Sequence, residues 1–162
     1  LTSVDAHGNA LTAVPDLTDC EKLTTLTLND NLITDVSGAA KDTDSKKEGI
    51  QTVITTLNLA ENKITDISAL KDATSLTSLT LSKNDITNID AIGKLTTLKT
   101  LNLDGNKNLN TLLPIMENFS KTSGLTLNIV DTKVASDKVA IDEFQKKFTT
   151  MKLTYVDKTE NK

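Results

Sequence analysis

One residue type recurs on a fixed count. Asn9, Asn31, Asn62, Asn84 and Asn106 are separated by 22, 31, 22 and 22 residues, and the odd interval is 22 plus nine. Aligned on these asparagines, the apolar residues fall into columns. The first holds Leu1, Leu23, Ile54, Leu76 and Leu98, the second Val4, Leu26, Leu57, Leu79 and Leu101, and the third Ala6, Leu28, Leu59, Leu81 and Leu103. After each asparagine come Leu11, Ile33, Ile64 and Ile86, then Val14, Val36, Ile67 and Ile89. Leu17, Leu70 and Ile92 continue the register, as do Cys20, Ala73 and Leu95. A fixed period of this length is the signature of a stacked repeat, in which no single unit buries its own apolar face.

Within each unit the spacing implies a coil. The segment Leu26-Thr27-Leu28 and its equivalents form a short strand, with both leucines inward and the residue between them outward. The chain then turns, and the asparagine also points inward. A buried carboxamide needs hydrogen-bond partners. The loop N–H and C=O groups of its own coil and of the neighbouring coil supply them. Asn9, Asn31, Asn62, Asn84 and Asn106 are therefore expected to form a ladder, with each rung mattering by about 1–3 kcal/mol if truncated. Stacking buries the leucines, at roughly 1.5–3 kcal/mol per fully buried side chain.

This pattern resembles the leucine-rich repeat family. The consensus LxxLxLxxNxITDIxxLxxLTxL is similar to the 22-residue repeats of bacterial internalins, and "NKITDISAL" (62–70) and "NDITNIDAI" (84–92) are close matches. The resemblance covers residues 1 to about 112 and reaches the remainder only as degenerate coils. It implies an α/β solenoid: a right-handed coil with a concave parallel sheet of about seven strands and a returning side that is irregular or briefly helical. It also implies a secreted or wall-attached protein of a Gram-positive bacterium, hence extracellular or at the cell surface, that binds host or surface proteins through the concave face.

The chain reads as a single leucine-rich repeat domain over 1–162, with regular repeats over 1–112. The nine extra residues of the second repeat lie within 37–53, read as a protruding loop or short helix on the returning side. From 113 to 162 the repeats degenerate into a C-terminal cap. "PIMENFSK" (114–121) reads as a helix with Pro114 in its first turn. "GLTLNIV" (124–130) is the next strand. "SDKVAIDEFQKKF" (136–148) is a second helix with Ser136 as N-cap and Ile141, Phe144 and Phe148 on one face. "MKLTYVD" (151–157) is the last strand. Strand centres are expected near Asp5, Thr27, Asn58, Thr80, Asn102, Thr126 and Leu153. Phe119, Phe144, Phe148 and Tyr155, the only Phe and Tyr residues, all fall after residue 118 and suit the covering of the last row of leucines. The sequence opens at Leu1 with the pattern under way, as a processed product or excised domain would. Leu1, Val4 and Ala6 would meet solvent unless something upstream or a second molecule covers them.

The working surface implied by this fold is the outward side of the strands. Between the inward positions lie Asp5, Thr27, Asn58, Thr80, Asn102 and Thr126. One step before are Ser3, Thr25, Thr56, Ser78, Thr100 and Gly124, and one step after are His7, Asn29, Ala60, Ser82, Asp104 and Asn128. Asp30, Glu61 and Lys83 form the next column. The candidate binding face is thus Asp5, His7, Thr25, Thr27, Asn29, Thr56, Asn58, Ser78, Thr80, Ser82, Thr100, Asn102 and Asp104. It is small and polar, without the Trp, Tyr, Phe or Arg that anchor most protein interfaces.

Composition speaks against other classes. A net charge of −4 and the absence of Arg give no electrostatic reason to bind nucleic acid or anionic lipid. No apolar run approaches the roughly 20 residues that span a bilayer. One His and one Cys make no nucleophile pair or zinc site; His7 falls on the exposed strand side and Cys20 in a core column. Asp35 and Asp66 recur once per coil, as turn residues bonding nearby N–H groups do. "DTDS" (42–45) is too short for a calcium loop. No phosphate cradle, cofactor or catalytic residue is expected. The reading is a non-catalytic protein-interaction or adhesion module. The alternatives are a spacer that displays a neighbouring domain and an intracellular repeat scaffold.

Overall fold

The computed structural model describes residues 1–17, 19–39, 53–121 and 123–156. Most of the 37–53 insertion lies outside the described residues. Seven strands form one all-parallel sheet in chain order: β1 Ser3–Asp5, β2 Thr25–Thr27, β3 Thr56–Asn58, β4 Ser78–Thr80, β5 Thr100–Asn102, β6 Thr126–Asn128 and β7 Lys152–Thr154. This is a leucine-rich repeat solenoid. Each strand holds three residues with the apolar one in the middle: Val4, Leu26, Leu57, Leu79, Leu101, Leu127 and Leu153 lie side by side in register.

Six of the seven strands sit one residue off the expected centres, which were the outward residues. The hydrogen-bond ladder begins earlier than the alternation suggests: Thr25 N–H already donates to Thr2 C=O (3.2 Å) and Ser78 N–H to Thr55 C=O (3.0 Å). The second leucine of each pair lies just past the strand but stays in the ladder, since Leu28 N–H donates to Asn58 C=O at 2.8 Å. Leu26, Leu28 and their equivalents through β6 are buried. For β6, Thr126 pairs with Thr100 and Asn128 with Asn102. Thr126 therefore belongs in the column expected to hold Gly124. Leu101 pairs with Leu127, 26 positions on, so a 22-residue count misplaces the strand after coil five.

On the returning side the chain makes short 3₁₀ turns at Ser37–Ala39, Ser68–Asp72 and Asp90–Lys94, then α1 Leu113–Asn118 and, beyond β6, a turn at Val134–Ser136 and α2 Lys138–Lys147. Leu109, Leu112 and Ile115, one residue late against the period, are all buried. Pro114 stands in the first turn of α1, where its missing N–H costs no bond. The cap of α2 is Asp137, not Ser136: its carboxylate accepts from Ala140 N–H at 3.1 Å. Ser136 is taken up by the preceding 3₁₀ turn, which delivers Asp137 in extended conformation at the helix start. Phe119, Phe144 and Phe148 are buried, and the rings of the last two stand 4.9 Å apart. At the other end Leu1 is 74% exposed, while Leu11, Leu17 and Cys20 are half-buried against the core.

Candidate functional site

The ladder fixes the edge of the sheet face. Asn62 lies between two coils: its Nδ2 donates to Leu59 C=O (3.1 Å) and Ala60 C=O (3.0 Å) in its own coil and to Leu28 C=O (3.0 Å) in the preceding one. Its Oδ1 accepts from Ile33 N–H at 2.9 Å. Asn31, Asn84 and Asn106 repeat the arrangement, accepting from Leu11, Ile64 and Ile86 N–H at 3.0 Å each. All four are buried. Asn9 differs: it is exposed and donates within its own coil, to Ala6 and His7 C=O. A rung needs a preceding coil to bury its amide, and β1 is the first strand of the sheet.

Two further features lie outside what the sequence led one to expect. Coil six has no asparagine at the rung; Thr132 stands there, 4% exposed, donating to Ile129 C=O (2.7 Å) and accepting from Ala135 N–H (3.2 Å). It lies 26 residues after Asn106, the same offset that separates β5 from β6. The second is a threonine ladder where the chain enters the strands. The hydroxyls of Thr24, Thr55 and Thr77 donate to Thr2, Thr24 and Thr55 C=O, each at 3.2 Å. Its mark in the sequence is the threonine one step after Leu1, Leu23, Ile54 and Leu76.

Strand register defines the outward face. The first column runs Ser3, Thr25, Thr56, Ser78, Thr100 and Thr126, a hydroxyl on six successive strands, with Lys152 next to them on β7. Neighbouring strands put these groups about 4.8 Å apart. Among the described residues none of these hydroxyls has an intramolecular hydrogen-bond partner, nor do those of Thr27 and Thr80 in the second column. The asparagines and the aspartate of that column are tied to their own turns. Asp5, Asn58, Asn102 and Asn128 accept from the N–H two residues on, at 3.0–3.2 Å. Asn58 also donates to Asn29 Oδ1 at 3.2 Å.

The third column sinks in its middle, while His7 stays exposed and Asn29 and Asp104 are half-buried. Ala60 and Ser82 are 8% and 9% exposed, so Ser82 does not stand on the candidate face. In coils one to six the residue after this column is left-handed. Asp30, Glu61, Lys83 and Asp131 have φ of 53–57°, and Gly8 and Gly105 hold the same place with 65° and 74°. Glycine adopts this conformation freely; a side chain there is strained. On this rim Lys83 Nζ meets Glu61 Oε1 at 3.1 Å, both side chains more than half exposed.

Charged chemistry is sparse. His7 Nδ1 and Asp5 Oδ1 are 2.8 Å apart at the exposed start of the sheet. That hydrogen bond raises the His7 pKa above its usual value and lowers that of Asp5. Asp35 accepts from Ser37 N–H at 2.7 Å, which lowers its pKa, and Asp66 accepts from Ser68 N–H at 2.7 Å. Both bond within their own turns, on the returning side rather than on the sheet face. Among the described residues no group of three His, Cys, Asp or Glu is placed to hold a metal ion. No helix among them is long and apolar enough to cross a membrane.

A leucine-rich repeat family model matches residues 52–107. No curated protein is a significant match. Among solved structures, the chain is similar to the internalin InlF of Listeria monocytogenes, with 28% identity and a TM-score of 0.74 over 98% of this chain and 44% of that one. It is also similar to the functional domain of InlJ from Listeria monocytogenes, which includes a cysteine ladder, with 25% identity and a TM-score of 0.67 over 96% of this chain and 30% of that one. In this chain four buried rungs are asparagine, and the single Cys20 lies outside their column. A leucine-rich repeat protein of Leptospira interrogans shares the fold at 18% identity and a TM-score of 0.58, over 95% of this chain and 48% of that one. The chain thus spans less than half the length of each of these relatives. Its 22-residue period and its rung geometry give the chain a leucine-rich repeat fold, and its repeats are similar to those of the Listeria internalins.

Proposed function

We propose that this domain is a protein-interaction or adhesion module of a bacterial secreted or surface protein, and that it engages its partner through the outward face of the sheet. Leucine-rich repeat domains are in general non-catalytic binding modules. The observation that carries the reading is the run of unsatisfied hydroxyls on six successive strands. The carboxamides beside them are bonded to backbone or to one another. These hydroxyls are free to donate or accept, at a fixed spacing, toward a polypeptide laid across the strands. The similarity to two Listeria internalins supports the surface setting.

The plain chemistry of the face favours a second reading, a spacer that displays a neighbouring domain. One experiment separates the two. Fluorescently labelled domain is titrated onto intact epithelial cells and competed with unlabelled domain, beside a variant carrying Thr27→Glu, Asn58→Glu and Thr80→Glu. Saturable, competed binding that falls at least about tenfold in the folded variant, or roughly 1.4 kcal/mol, supports the proposal. No saturable binding supports the spacer, and undiminished binding by the variant moves the contact off the sheet.

A further inference from the structure

We draw no further inference here: the strongest candidate, the file of six hydroxyl side chains running from Ser3 to Thr126 along the outward face of the sheet, is a periodic stripe of small polar residues, and nothing in the structure shows what covers it beyond the binding role already proposed.

Discussion

Replacing Asn62 by Ala tests the ladder, because the structure says which of its bonds matter. Counting four lost hydrogen bonds at about 1 kcal/mol each gives about 4 kcal/mol. The partners argue for less. Leu28 C=O keeps the donor from Asn31 Nδ2, Leu59 C=O keeps Asn84 Nδ2, and Ala60 C=O keeps Asp30 N–H. Ile33 N–H, on a fully buried residue, is the one group left without that compensation. The cost is therefore that of one orphaned buried donor, about 1–3 kcal/mol. Asn9→Ala is the matched control. That residue is exposed and orphans no buried N–H, so it should fall within about 0.5 kcal/mol of wild type. Urea unfolding monitored by circular dichroism reads both, provided the m-values agree. Equal losses at Asn9 and Asn62, or a loss near zero at Asn62, would refute the claim that burial between coils gives the rung its weight.

The same geometry sets three further outcomes. Leu79→Ala, at a fully buried position in the central strand, should cost about 2–5 kcal/mol in the same unfolding assay. Gly38→Ala should destabilise by about 1–3 kcal/mol, because a Cβ there runs into the Val14 carbonyl, which is backbone and cannot swing aside. The His7 imidazole should titrate above 6.5 by NMR, and Asp5→Asn should bring it back toward that value. Since the folded pKa is raised, the stability His7 gains from this partner is fully present below pH 6.5 and is lost as pH rises through the folded value.

The regular coils were legible because one physical need repeats. A buried carboxamide between stacked turns tolerates little else, so Asn31, Asn62, Asn84 and Asn106 mark the period, and the leucines keep fixed offsets from them. The same logic explains the failures. Coils five and six each run 26 residues where coils three and four run 22, and the rung position of coil six holds Thr132, whose hydroxyl bonds within its own coil, so neither the count nor the residue type announces that coil. Thr126 shifted column for the same reason. Thr24, Thr55 and Thr77 drew no expectation, because sequence shows that threonine suits a strand but not that its hydroxyl reaches the previous coil's carbonyl. The left-handed turns at Asp30, Glu61 and Lys83 were not legible either, since these residues give no hint of a conformation that glycine would have announced.

The structural demands also set how this face can bind. A three-residue strand offers two outward side chains, and one of the two is often taken: Asp5, Asn58, Asn102 and Asn128 bond their own turns. The rim residues Glu61 and Lys83 hold each other. What remains is close to one hydroxyl per coil, with no aromatic or arginine anchor to concentrate energy. Interfaces with hot spots lose most of their affinity through a few residues. A face of separate hydroxyls has no such residue, so its affinity must accumulate along the stack, each contact worth about 0.5–1.5 kcal/mol. Single alanine substitutions at Thr25 or Thr56 should then change binding only slightly, whereas carboxylates placed at once on β2, β3 and β4 disturb every register the partner could use.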